Sequence, residues 1–148
     1  MKESTCLTQL KKWLESDPKN AWNFGNNAAL EAKLMRGTSL PFSALAEHQE
    51  KALLEVREKP LFYKITDSPV FKGMKSRFTA PKPFDMFILN SPGFVVVFRY
   101  IKGQREKERQ AVIVDIIDWV KLREGSERKS ATWEMLAAVG RIIKPWDC

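Results

Sequence analysis

Ala28-Ala29-Leu30-Glu31-Ala32-Lys33-Leu34-Met35 is the stretch on which the fold turns, because two periodicities compete for it. Ala, Leu, Glu, Lys and Met are good helix formers, and on a helix Glu31 and Lys33 point in different directions. On a strand successive side chains alternate, so Glu31 and Lys33 share one face while Leu30, Ala32 and Leu34 share the other. Any chemistry that uses the acid and the ammonium together requires the strand, and tertiary context can override local propensity. We therefore read the octet as a strand and expect an α/β chain of the α+β kind, a central mixed β-sheet flanked by helices.

Working outward, Arg36-Gly37-Thr38-Ser39 reads as a turn, and Pro41 suits the first turn of a helix capped by Ser39. From Phe42 to Arg57 the spacing predicts a helix that buries Phe42, Leu45, Ala52, Leu53 and Val56 along one stripe. At about 100° per residue Gln49 falls inside that stripe, and His48, the chain's single histidine, lies on its border. A glutamine aimed at a core must be hydrogen bonded or cost a few kcal/mol, so Gln49 either satisfies backbone or faces a polar site. His48 alone reads as a solvent-facing rim residue.

Upstream, residues 4–15 read as an amphipathic helix, capped by Ser4 or Thr5, with Leu7, Leu10, Trp13 and Leu14 at helical spacing. Downstream, Leu61–Thr66 and Phe84–Leu89 read as strands separated by a basic loop carrying Lys72, Lys75, Arg77 and Lys82. Phe94-Val95-Val96-Val97-Phe98-Arg99-Tyr100 is a nearly continuous apolar run, the pattern of a central strand covered on both faces. A charged hairpin tip from Lys102 to Arg109 leads into a strand over Ala111–Ile116. Asp118 then opens a helical stretch, and Met135–Ile143 reads as a last short helix that follows the basic turn Arg128-Lys129-Ser130.

The chain has 148 residues, 44% of them hydrophobic and 29% charged, which fits one folded domain over residues 1–148 with a core of its own. Its 25 Lys and Arg against 18 Asp and Glu give +7, a balance that favours a polyanionic partner such as nucleic acid. The two cysteines, Cys6 and Cys148, lie near opposite ends without metal-ligand spacing, and with one histidine in the chain a His/Cys zinc site is not expected. A Cys/His nucleophile would need one of those terminal cysteines to meet His48. No apolar run reaches the length of a membrane span and the first residues lack a signal-peptide core, so a cytoplasmic chain with no membrane partner is expected. Phosphate-cradling, dinucleotide-binding and nucleophile-elbow motifs are absent from the sequence.

Glu31, Lys33 and Asp85 are the side-chain types of a magnesium-dependent phosphodiester hydrolase. Carboxylates hold hard cations through oxygen, the cation clamps phosphate and acidifies water, and a lysine offsets charge beside it. Glu31-Ala32-Lys33, followed by Leu40-Pro41-Phe42-Ser43-Ala44-Leu45-Ala46-Glu47-His48-Gln49, resembles the Glu-x-Lys strand and Phe-x-x-Leu-x-x-His-Gln helix of Holliday-junction resolvases in the PD-(D/E)XK nuclease superfamily. Gly93–Tyr100 resembles the strand after that helix in bacterial resolvases, and Arg128-Lys129-Ser130 before Gly140 resembles their C-terminal segment. Tyr63-Lys64-Ile65-Thr66-Asp67 and Lys82-Pro83-Phe84-Asp85 resemble signatures of small resolvase-like proteins.

The resemblance covers roughly residues 28–143. It implies a restriction-endonuclease-like core and an endonuclease of DNA recombination and repair that acts on branched DNA as a homodimer with Mg2+, which Mn2+ can replace. It assigns Glu31 and Asp85 as metal ligands, Lys33 as the catalytic lysine, and Gln49 with His48 as supports from the helix. Lys72, Lys75, Arg77, Lys82, Arg128 and Lys129 are candidate nucleic-acid contacts. In the family's usual order the aspartate strand precedes Glu-x-Lys; here it follows. Either the strands are permuted around one site or Asp85 is structural, with Asp67 a second candidate, and Glu3 and Glu15 match the family's early glutamate poorly. The alternative is a catalytically inactive relative that binds nucleic acid.

Overall fold

The computed structural model describes residues 1–25, 27–64, 85–88 and 90–146, with backbone pairing alone for 61–64 and 85–88. Its centre is strand β5, Gly93–Tyr100. Val95 and Val97 of β5 enter one buried cluster, while Val96 and Phe98 enter the other. With both faces covered, its main-chain groups must find partners in neighbouring strands.

On one side that partner is β1, Ala29–Arg36, which runs parallel to β5 in a register from Ala29↔Gly93 to Arg36↔Tyr100. The helix-prone octet is therefore a strand. Long-range pairing wins because it satisfies the backbone of both segments and sorts the side chains of β1 by period two. Ala32 and the flanks of Leu30 and Leu34 pack into one cluster, and Met35 into the other. On the other side of β5, β6 (Ala111–Asp115) is antiparallel, and β8 (Arg141–Ile143) is antiparallel to β6. The mixed sheet has the order β1-β5-β6-β8.

Helix α1, Glu3–Ser16, covers one face through Cys6, Leu10 and Trp13. The spacing of these three makes Cys6, not Leu7, the first buried residue of the stripe, and Leu7 is exposed. The residue before the first turn is Lys2, without a side-chain cap, rather than Ser4 or Thr5. A single helical turn, α2 (Pro18–Ala21), follows, capped by Asp17. The opposite face is covered by α3 (Glu47–Glu58), α4 (Ile116–Glu124) and α5 (Trp133–Val139) through Leu53, Trp119, Trp133 and Leu136.

Three boundaries differ from the expectation. Ser39–Pro41 is a short strand, β2, paired antiparallel with β7 (Ser130–Thr132), and Phe42–Ala44 is one 3-10 turn, so the main helix begins at Glu47. The local reason is that Pro41 stays extended and the Phe42 amide donates to the Lys129 carbonyl, which ties the segment to β7 before a helix can start. Phe42 still reaches the core, edge-on to Trp119 at 5.6 Å. Helix α4 begins at Ile116 because Asp115 accepts from the Ile117 amide as its cap. The last helix stops at Val139 and its expected final turn is strand β8. Gly140 makes that reversal possible: a Cβ there would meet the Val112 side chain and the Ile113 carbonyl oxygen at 2.6 and 2.7 Å.

The remaining described strands, β3 (Leu61–Lys64) and β4 (Asp85–Ile88), form an antiparallel pair of their own with Lys64 opposite Asp85. No described helix is long and apolar enough to cross a membrane.

Gly93 is where α3 rests on the sheet. A Cβ at this position would overlap the Leu53 backbone carbonyl, and backbone cannot rotate away as a side-chain tip can. Gly93→Ala should therefore lift α3 and cost about 1–3 kcal/mol. In a chain of this size that lowers Tm by about 2–4 °C per kcal/mol in a thermal melt; an unchanged Tm would contradict this packing.

Candidate active site

Strand alternation turns Glu31 and Lys33 toward α3, and the first turn of α3 brings Gln49 over them. Lys33 Nζ donates to Glu31 Oε1 at 2.9 Å and to Gln49 Oε1 at 3.0 Å, and Gln49 Nε2 donates to Glu31 Oε1 at 2.7 Å. The three side chains close a ring of hydrogen bonds across two elements. Gln49 Oε1 also accepts from the Ala46 amide at 3.0 Å, which satisfies one of the open donors at the start of the helix. Gln49 thus does both things that its place in the apolar stripe allowed: it caps its own helix and it faces a polar site.

Burial makes this arrangement unequal. The Lys33 side chain is 8% exposed and that of Glu31 is 30% exposed. An ammonium so enclosed depends on its acceptors, whereas the carboxylate still reaches water. Both bonds to Glu31 fall on Oε1; its Oε2 accepts from none of the described residues, so one oxygen remains for a further ligand.

Ion pairs between elements hold the helix that carries Gln49. Glu50 pairs with Arg123 of α4. Arg57 Nη1 spans both carboxylate oxygens of Asp115 at 3.0 and 2.9 Å. Asp115 also caps α4, so one carboxylate ties the end of β6, the start of α4 and the last turn of α3 together. None of these supports was visible in the sequence. Arg57 and Asp115 are far apart in the chain, and only the fold of α3 against β6 makes them neighbours.

Of the other expected site residues, His48 is exposed and bonds to none of Glu31, Lys33 and Gln49 among the described contacts. Asp85 opens β4. Lys72, Lys75, Arg77, Lys82 and the second aspartate candidate, Asp67, lie outside the described residues. Arg128 and Lys129 are exposed just before β7. No group of three or more His, Cys, Asp or Glu that could hold a metal occurs among the described residues. The described part of the site thus offers a cation one carboxylate oxygen without a described partner, from Glu31, while the side chain of Asp85 lies outside the described residues.

Cys6 is no partner for His48. It is buried beneath α1 on the opposite face of the sheet from α3, and burial first, then the nearby Glu3 carboxylate, pushes its thiol up to about 11. A thiol held protonated at neutral pH is a poor nucleophile.

Comparisons of the chain with protein-family models, with curated proteins and with solved structures found no match.

The unequal burial leads to a stability asymmetry. Lys33→Met removes the enclosed charge and keeps much of its volume, so it should cost under about 1 kcal/mol. Glu31→Ala strands the ammonium with Gln49 alone and should cost about 2–3 kcal/mol, less than a fully buried pair because water reaches the carboxylate. Urea unfolding of the two variants measures the difference; equal losses, or a larger loss for Lys33→Met, would contradict the burial described above.

Proposed function

We propose that the chain is a metal-dependent endodeoxyribonuclease of the resolvase kind, cleaving phosphodiester bonds in branched or structured DNA around Glu31, Lys33 and Gln49. The observation that carries this reading is the closed Glu31–Lys33–Gln49 ring. An enclosed lysine and a half-open glutamate on one strand face, aligned by a helix amide, are a costly arrangement for a fold to keep without a use. The basic balance of the chain adds a reason to expect a phosphate-rich substrate.

In this reading Glu31 Oε2, the oxygen without a described partner, would hold Mg2+, with Mn2+ as a substitute, and Asp85 would supply the second carboxylate. The bound cation would polarise the scissile phosphate and acidify a water. Lys33 offsets negative charge on the phosphate and orients the attacking water. The low exposure of its ammonium strengthens that interaction, because less solvent screens it. Gln49 acts as a positioning residue. It fixes one oxygen of Glu31 and one acceptor of Lys33, leaving the other oxygen and the remaining ammonium protons for substrate. A four-way junction presents two symmetry-related strands for cutting, so two copies of the chain would act together.

The second reading, a resolvase-like nucleic-acid-binding protein without activity, draws on the single free carboxylate oxygen among the described groups. One experiment separates the two. Incubation of four-way-junction, single-stranded and duplex DNA with the protein and Mg2+ or Mn2+ should yield cleavage that EDTA abolishes. Glu31→Ala and Lys33→Ala should each lower the rate by at least about 100-fold, and Gln49→Ala by less. Equal cleavage by all variants would assign the activity to a contaminant, and no cleavage with retained DNA binding would favour the inactive relative.

A further inference from the structure

One tryptophan stands apart from the other four. Trp13, Trp119 and Trp133 are buried and Trp146 is half-buried, whereas Trp22 is 74% exposed, although tryptophan is highly buried on average. Neither another ring nor a cation covers its indole among the described residues.

Its outward direction is enforced by its neighbours. Asp17 caps the single turn α2 by accepting from the Lys19 amide at 2.9 Å, and the Trp22 amide closes that turn on the Lys19 carbonyl. Asn20 Nδ2 donates to the Trp13 carbonyl of α1 at 2.7 Å, which fastens the turn to the helix before it. Asn23 donates to the Asn20 carbonyl and accepts from Arg141 Nη1 of β8 at 2.9 Å. Phe24 is buried, edge-on to Phe94 at 5.6 Å. With Asn20, Asn23 and Phe24 all tied to the body of the protein, the backbone that carries the indole is fixed, and a ligand that covers the ring has little left to order.

The same contacts bring two cations to the ring. Lys19 and Trp22 are three residues apart on one helical turn and so are neighbours on its surface. Arg141 arrives from β8, where it is paired with Ile113 on the α1 face of the sheet, and its bond to Asn23 places the guanidinium beside the residue that follows Trp22. Both cations are exposed, and neither forms a salt bridge among the described residues. Asp17, the acid of this turn, is engaged in its cap. An open aromatic face with two unpaired cations beside it is complementary to an unpaired nucleobase and its flanking phosphates. A second copy of the chain seated here about a twofold axis would instead set these cations against themselves.

We propose that Trp22 stacks an unpaired base of a single-stranded segment, with Lys19 and Arg141 holding the adjoining phosphates. The proposal rests on the reading of the chain as a nucleic-acid protein but not on cleavage. Glu31 and Lys33 occupy the opposite, α3 face of the sheet, so the segment held here differs from the one at the candidate active site, and a branched or partly unpaired DNA offers both.

Binding is measured in EDTA, where no cutting occurs, with single-stranded oligothymidylate at several salt concentrations. Because Trp22 is the one largely exposed tryptophan, iodide should quench mainly its emission, and the fraction of emission open to iodide should fall once the oligonucleotide binds. Trp22→Ala should weaken binding about 5- to 150-fold, the range of one lost stack, and Trp22→Phe should recover most of that loss. Lys19→Ala and Arg141→Ala should each lower the slope of log affinity against log salt by about 0.7, a slope that Trp22→Ala leaves in place. Lys19, Trp22 and Arg141 are all exposed, so the variants keep the core. Blunt duplex DNA, whose bases are already paired and stacked, should lose far less affinity in Trp22→Ala. Unchanged affinity of that variant for the single strand, or an equal loss on the duplex, would overturn the proposal. So would an iodide-accessible fraction that falls as the protein alone is concentrated, since a second copy would then cover the ring. A chain that never cuts DNA but loses single-strand binding in Trp22→Ala would end the nuclease reading alone. One that cuts DNA and binds it unchanged in that variant would end this proposal alone.

Discussion

Everything at the candidate site depends on the parallel pairing of β1 with β5. A strand with both faces buried leaves its peptide groups no access to water, so each edge must be hydrogen bonded to another strand. Once β1 supplies one of those edges, residues 29–36 cannot be helical, and alternation fixes which side chains meet α3. Glu31 and Lys33 fall on the α3 face and Leu30, Ala32 and Leu34 on the α1 face. A shift of register by one residue would exchange the two sets, burying the acid and the amine beneath α1, away from Gln49.

Parallel strands need a crossover, and here the crossover includes α3. The connection that closes the sheet also delivers Gln49. The amide sits in the first turn of α3, where backbone donors are still open, so one oxygen can serve both the Ala46 amide and Lys33. Fold and site share the same hydrogen bonds, and a substitution in either is felt by both.

These layers were unequally legible in the sequence. The apolar run of β5 announced a central strand because hydrophobicity on both faces needs no knowledge of partners. The octet in β1 did not, since its own residues favour a helix and the deciding partner lies far downstream; only the requirement that Glu31 and Lys33 act together pointed to a strand. Gln49 was legible as an anomaly, a polar side chain inside an apolar stripe. The three-residue strands β2, β7 and β8 were not, because so few residues show no period. Ile142 and Ile143 simply prolonged the helical pattern of the residues before them. The pairs Arg57–Asp115 and Glu50–Arg123, which hold the helix under Gln49, exist only once α3, α4 and β6 are packed.

Those two pairs and the Leu53 carbonyl above Gly93 lie along α3 at Glu50, Leu53 and Arg57, spaced as one stripe of the helix. Three anchor points along a rod remove its freedom to slide and to tilt, so α3 behaves as a rigid lever. A disturbance at the Arg57 end is carried two turns along the axis to the amide at position 49. The alignment of a few polar atoms is thereby entrusted to the stiffness of a helix, and Arg57 and Asp115, which touch neither Glu31 nor Lys33, share control of how Gln49 is held.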